Sequence, residues 1–190
     1  MENRTAKDEN IINAYRDGAR TGFEALYGAY YNDVLYFVLN LSGDAHGSLD
    51  VTQTVFMKAF KEFDRRSISD INNIKSWLFR VAVNEFYQAR RSYVTRIKYW
   101  VENLFRFMEM ERDAHAEYIE KKILEEEKDS LGKWLLQIEE KDRAILVLRY
   151  YDELSYAEIS DILEIEEGTV MSRLFRAKEK MRRLMENEPE

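Results

Sequence analysis

Residues 155–181 read SYAEISDIL followed by EIEEGTVMSRLFRAKEKM, and this stretch decides the fold class of the chain. Ser155 and Glu158 stand at the head of the first run, at the spacing where a hydroxyl and a carboxylate satisfy each other's free amides at a helix start. Ile159, Ile162 and Leu163 then share one helical face. In the second run Val170, Leu174, Ala177 and Met181 recur at helical spacing and supply the other half of a small core. The face around Thr169, Ser172, Arg173, Arg176, Lys180 and Arg183 is polar and basic. A helix, a tight turn and a second helix with a basic outer face form the helix-turn-helix pattern, whose second helix fits the DNA major groove. A plain surface hairpin would carry the same charges for solvation, and this stretch alone leaves both readings open.

Composition narrows the rest. With seven Gly and a single Pro, at position 189, the chain lacks the turn residues that an all-β fold needs, so an all-α fold is expected. The absence of Cys excludes a disulfide framework and a thiolate metal site. Only His46 and His115 are present, neither in a metal-ligand spacing, and there is no glycine-rich phosphate loop or nucleophile elbow. Neither a cofactor nor a metal nor an enzymatic activity is expected. No signal-like N-terminal segment and no run of 18 apolar residues appears, so a soluble, cytoplasmic protein without stable membrane insertion is expected. The net charge is −7, yet residues 1–100 carry +2 while residues 167–185 hold six basic and two acidic residues. Such a balance predicts weak autonomous DNA binding and leaves local phosphate contact possible.

Taken in order, residues 1–20 read as a polar lead-in with a short helical piece around Ile11 to Tyr15. Thr21 and Glu24 repeat the capping-box spacing and start a run that buries Phe23, Leu26, Tyr27, Tyr30, Val34, Phe37, Val38 and Leu41, closed by Ser42-Gly43. A second helix, roughly Leu49 to Phe63, buries Thr52, Val55, Phe56, Ala59, Phe60 and Phe63. It leaves Asp50, Gln53, Met57 and Lys61 outside, as solvent surface or as a docking face. Residues 64–73 read as a loop. A third helix from about Ile74 to Arg91 buries Trp77, Leu78, Val81, Ala82 and Phe86, with Lys75, Phe79, Arg80, Asn84, Gln88 and Arg91 on its other face. An exposed aromatic among cations and amides suits single-stranded nucleic acid, although one scattered apolar residue on a solvated face is the plainer alternative. Residues 92–118 carry an apolar stripe, Val94, Ile97, Val101, Leu104 and Met108, fit to cover a neighbour or a partner; Glu102, Glu109 and Glu111 make it a poor membrane-surface helix. Helical periodicity resumes at Tyr118, and a further helix, Lys141 to Tyr151, precedes the hairpin.

Together these pieces resemble the sigma-70 family, in particular its small extracytoplasmic-function (group 4) members. LDVTQTVFMKAF matches the family's D-x-x-Q-E-V-F pattern through Asp50, Gln53, Val55 and Phe56. IKSWLFRVAVNEFYQARR matches W-L-x-R-I-A-x-N-x-x-x-D-x-x-R through Trp77, Leu78, Arg80, Ala82, Asn84 and Arg91. At the other end Asp142-Arg143, Leu148, Ser155-Tyr156, Glu158-Ile159, Gly168-Thr169-Val170, Ser172-Arg173-Leu174 and Arg176-Ala177 fall in place. Two independent motif sets, in order and at opposite ends of the chain, carry the resemblance.

The resemblance implies two small helical domains, 1–95 and 126–190, joined by a linker at 96–125. It implies a promoter-specificity subunit of bacterial RNA polymerase, with core polymerase and promoter DNA as partners and an anti-sigma factor as a further candidate. By resemblance, Asp50, Gln53, Met57 and Lys61 would contact polymerase. Lys75, Trp77, Phe79, Arg80, Asn84, Gln88 and Arg91 would lie at the melted −10 strand, with a flipped base held by loop 64–73. Thr169, Ser172, Arg173, Arg176 and Lys180 would meet the −35 element, with Arg173 and Arg176 suited to guanine edges or phosphate and Lys180 to backbone positioning. The chain departs from the pattern at Thr54, Gln88, Glu139, Glu164, Glu166 and Met171. Glu164 stands where the family has Gly in the turn. A stand-alone helix-turn-helix regulator and a sigma-like interaction module that initiates nothing are the competing readings.

Overall fold

The computed structural model describes residues 5–65, 68, 71, 73–91 and 130–186, and no strand occurs among them. The first helix, α1 (Ala6–Asp17), starts on Thr5, whose hydroxyl accepts from the Asp8 amide at 3.2 Å while the Asp8 carboxylate accepts from the Thr5 amide at 3.4 Å. A full helix therefore stands where a polar lead-in with only a short helical piece around Ile11 to Tyr15 was expected. The signal is a capping box written with Asp in place of Glu. Asp8 is buried, and its second oxygen accepts the Tyr30 hydroxyl at 2.7 Å, which ties α1 to α2 (Ala19–Ser42). Burial and the neighbouring Asp8 both push the Tyr30 hydroxyl far above its usual range.

The second helix begins before Thr21, contrary to the capping-box reading. Gly18 supplies the chain break with a φ of 153°, and Glu24 pairs with Arg20 instead of capping. Gly22 lets α1 lie close on α2, because a Cβ there would land on the Tyr15 ring. At its far end α2 closes on Gly43, in the left-handed region at φ 69°, which residues other than Gly and Asn seldom adopt. α3 (Ala45–Arg65) and α4 (Ile74–Arg91) complete the N-terminal bundle. Asn73 accepts from the Ser76 amide at 2.8 Å and so caps α4. Val55, Phe56, Ala59 and Phe63 of α3 and Leu78, Ala82 and Phe86 of α4 are buried, on the stripes their spacing predicts.

The C-terminal half contains α5 (Ser130–Leu136), α6 (Glu140–Leu146), α7 (Tyr156–Leu163) and α8 (Glu167–Glu186). The helix expected from Lys141 to Tyr151 is α only as far as Leu146 and then opens into a π turn at Val147–Tyr151. The apolar stripe of 92–118, the periodic run from Tyr118 and most of loop 64–73 lie outside the described residues.

The two helical bundles form one continuous apolar core, running from Ile11 in α1 to Ala177 in α8. α4 packs on α7, and α2 meets α5 and the π turn. Leu136 sits where a Cβ on Gly43 would go, so the left-handed glycine that ends α2 is also a seat for the C-terminal bundle.

Candidate nucleic-acid and partner interfaces

The hairpin forms as its sequence predicts. The Ser155 hydroxyl accepts from the Glu158 amide at 3.2 Å, and the Glu158 carboxylate accepts from the Ser155 amide at 2.9 Å. α7 ends at Glu164, held left-handed at φ 53°, with its amide donated to the Ser160 carbonyl. A non-glycine residue there costs roughly 1 kcal/mol. α8 starts as the amides of Thr169 and Val170 close on the Glu166 carbonyl. Ile159, Ile162, Val170, Leu174 and Ala177 are buried between the two helices.

This packing points Ser172, Arg176 and Lys180 outward, while Thr169 and Arg173 are half-buried. Sequence reasoning noted Met171 only as a departure from the family pattern and overlooked Phe175; both stand on the outer surface, exposed by 49% and 67%. The signal was available: both lie off the stripe of Val170, Leu174, Ala177 and Met181, one helical turn apart. Apolar side chains beside cations on such a helix can contact thymine methyl groups.

On α3, Asp50 and Lys61 are exposed and Gln53 and Met57 half-buried. Their spacing of three, four and four residues keeps them on one side of the helix. Thr54, one of the departures, turns its hydroxyl back onto the Asp50 carbonyl at 2.9 Å and adds no charge to this face.

On α4 the expected strand-binding set divides. Asn84 and Gln88 are exposed, whereas Lys75, Trp77 and Arg80 are half-buried and Phe79 is fully buried; the Arg91 side chain lies outside the described residues. Trp77 packs on Phe63, with ring centroids 5.0 Å apart. Phe79 corrects the reading of an exposed aromatic. Its ring stacks on Phe37 of α2 at 4.9 Å and 21°. A single apolar stripe describes a helix covered on one side, but α4 is covered by α2 and α3 and again by α7, so its buried arc is wider.

The far side of α4 faces the C-terminal bundle. At its start Lys75 pairs with Asp152 at 3.3 Å, and at its end Arg90 pairs with Glu140. Between them Arg80 lines a cavity of about 550 Å³ with Ser160, Asp161, Glu164 and Thr169, and its Nε is enclosed without a hydrogen-bond partner. Burial raises the Tyr87 hydroxyl against the pull of Arg173 and Arg143. Burial and the like charge of Arg90 lower the Arg143 guanidinium. The Asp152 side chain is only 7% exposed. Burial outweighs Lys75 and pushes its carboxyl from 3.8 up to about 6. Among the described residues no cluster of metal ligands occurs, and no helix is long and apolar enough to cross a membrane.

Residues 26–95 match the family model for sigma-70 region 2, and residues 128–181 match that for sigma-70 region 4. The chain is 31% identical over 164 residues to the ECF RNA polymerase sigma factor SigM of Bacillus subtilis, covering 85% of this chain and 93% of that one. It is 30% identical to the ECF RNA polymerase sigma-E factor of Escherichia coli, covering 90% and 91%. Among solved structures, CnrH bound to the cytosolic domain of CnrY superposes with a TM-score of 0.66 at 17% identity, covering 96% of this chain and 99% of that one. The sigma factor RpoE of Bartonella quintana, in complex with the anti-sigma factor NepR, gives 0.63 at 19%, covering 88% and 98%. Both share the fold.

Proposed function

With the chain a member of the sigma-70 family, an RNA polymerase sigma factor of the extracytoplasmic-function type, we propose how its surfaces divide the work of promoter recognition. The α3 face of Asp50, Gln53, Met57 and Lys61 docks on core polymerase. On α4, Asn84 and Gln88, together with Lys75 and Arg80 once these are reached, hold the melted −10 strand, where amides read base edges and cations follow phosphates. Trp77 braces this surface from its seat on Phe63. Phe79 takes no part beyond packing.

On α8, Ser172 and Arg176 read the −35 element in the major groove, Phe175 and Met171 add apolar contact, and Lys180 positions the backbone. Residues 1–95 and 126–190 form the two functional units, and the stretch between spans from one DNA element to the other. Polymerase supplies the catalytic chemistry and this chain supplies selection, in the cytoplasm where polymerase works. Polymerase also supplies affinity, so a chain of net charge −7 need not hold DNA by itself.

A further partner of the anti-sigma type, as in the Bartonella complex, fits the same scheme.

The observation that carries the reading is the outward row Ser172, Phe175, Arg176 and Lys180 on a helix whose inner stripe is locked by the capped hairpin. Reconstitution with core polymerase tests it. The chain should form a stable complex with core and initiate at a matched promoter. Arg176→Ala should cut −35-dependent initiation by about 5- to 150-fold, equivalent to about 1–3 kcal/mol for a lost bidentate contact. Failure to bind core polymerase would remove the reading altogether.

A further inference from the structure

The surface of α8 is divided along its length. Its cations are Arg173, Arg176, Lys178, Lys180, Arg182 and Arg183, all beyond Ser172. Ahead of them residues 152–172 hold seven acidic residues and no basic one, and Glu164, Glu166 and Glu167 are exposed around the helix start. The early part of a recognition helix is the part that reaches base edges. Here that part lacks the Arg or Lys that reads guanine.

What it offers instead is apolar. Met171 and Phe175 stand one turn apart, both exposed. Beside them Gly168 is exposed too, and a Cβ built on it would meet no atom within 4 Å. Gly168 lies in regular helix, where glycine is a poorer choice than alanine, so nothing inside the chain asks for it. Residues three, four and seven apart share a helix face, and helix side chains lean toward the helix start. Met171 therefore overhangs the bare backbone at Gly168, and Phe175 continues the shallow apolar notch so formed. Ser172, at its edge, donates its hydroxyl to the Thr169 carbonyl at 3.0 Å.

We infer that Met171 is a specificity-determining residue: with Gly168 and Phe175 it receives the 5-methyl group of a thymine in the −35 element. The inference deepens the assignment of α8 to that element and rests on it. Thymine alone presents a methyl group in the major groove, and an unbranched thioether adapts its shape to one. The exposed carboxylates around the notch repel phosphate, so a neutral contact to a base suits this end of the helix. The cations further along are left to hold the backbone and Arg176 to read beside the notch. Met171 is one of the chain's departures from the family pattern, so the contact is particular to this chain.

Holoenzyme assembled from the full chain and core polymerase provides the test. Promoter duplexes randomised through both elements are selected for binding. Each thymine of the enriched upstream element, on either strand, is then replaced singly by deoxyuridine, which removes only the methyl group. At one thymine the replacement should weaken binding about fourfold, as expected for one buried methyl group. Met171→Ala should weaken binding to the thymine promoter and abolish the difference between thymine and uracil at that position. Arg176→Ala should weaken binding to both and leave the difference intact. Met171→Lys should also lose the difference, while steepening the fall of log affinity with log salt by about one. Gly168→Ala, which fills the notch, should hold or raise the melting temperature and yet shrink the difference.

If uracil is tolerated throughout an enriched element, or if its penalty survives in Met171→Ala, the methyl contact is overturned and the −35 assignment stands. The apolar side of α8 runs on to Lys178, 5.9 Å over the Tyr150 ring, and to Met185. If Met171→Ala weakens binding to core polymerase in the absence of DNA, that whole side is a protein surface and the inference falls. If the holoenzyme initiates but enriches no upstream element, the assignment of α8 falls and takes the inference with it.

Discussion

Replacing Phe79 with alanine separates a packing role from a DNA role for α4. The ring is fully buried and stacks on Phe37 at 4.9 Å. A buried aromatic removes about 150–250 Å² from water, which at about 25 cal/mol per Å² is worth roughly 4–6 kcal/mol. Measured Phe-to-Ala losses in cores run about 3–5 kcal/mol, and the lower range applies here if α2 and α4 relax into the space. For a chain of this length each kcal/mol moves the melting temperature by about 2–4 °C, so a fall of about 6–20 °C is expected. Thermal unfolding followed by circular dichroism on the purified chain measures it. Phe79→Leu is the companion variant: it keeps most of the apolar volume and should recover most of the stability, losing only about 1 kcal/mol. If the ring instead stacked on a promoter base, leucine would fail as badly as alanine in open-complex formation. A packing role for Phe79 is refuted if Phe79→Ala melts within about 2 °C of the unmodified chain while promoter opening collapses.

Two further stability tests probe the backbone geometry. Glu164→Gly relieves the left-handed residue that ends α7 at φ 53°; a gain of about 0.5–1 kcal/mol in urea unfolding is expected, and a loss would mean that the Glu164 side chain contributes more than its backbone costs. Gly22→Ala should do the reverse, because the new methyl meets the Tyr15 ring, itself packed edge-on against Phe63 at 5.9 Å. The overpacking cost of about 1–3 kcal/mol exceeds the helix-propensity gain of up to about 1 kcal/mol, so a lower urea midpoint is expected, and an unchanged or higher one would show that α1 shifts without penalty.

Local signals were legible in the residues themselves. Ser155 and Glu158 cap α7 because their partners lie three positions away, and the stripes of α3, α7 and α8 emerge because a helix brings every third and fourth residue together. The same short reach explains the Thr5–Asp8 start of α1, recoverable once Asp is admitted at the third position of the capping box. The family resemblance likewise placed α3, α4 and the hairpin correctly, since its motifs are carried by contiguous residues.

The contacts of α4 were not legible in this way. Lys75 meets Asp152, Arg90 meets Glu140, and Arg80 shares a cavity with Thr169, each pair separated by fifty residues or more. Helical periodicity carries no record of such distant partners. In sequence, Asp152 reads as an acid in a connecting turn, and Phe79 as an aromatic on the polar side of its helix. The residues alone determine the stripes of α3, α4, α7 and α8, the cap of α7 and the inner face of the hairpin, because those depend on neighbours within one turn. Only the tertiary structure decides that Phe79 is core, that Asp152 is enclosed and that Arg80 of α4 shares a cavity with Thr169 of α8, because those depend on how α2, α4 and α7 close on one another.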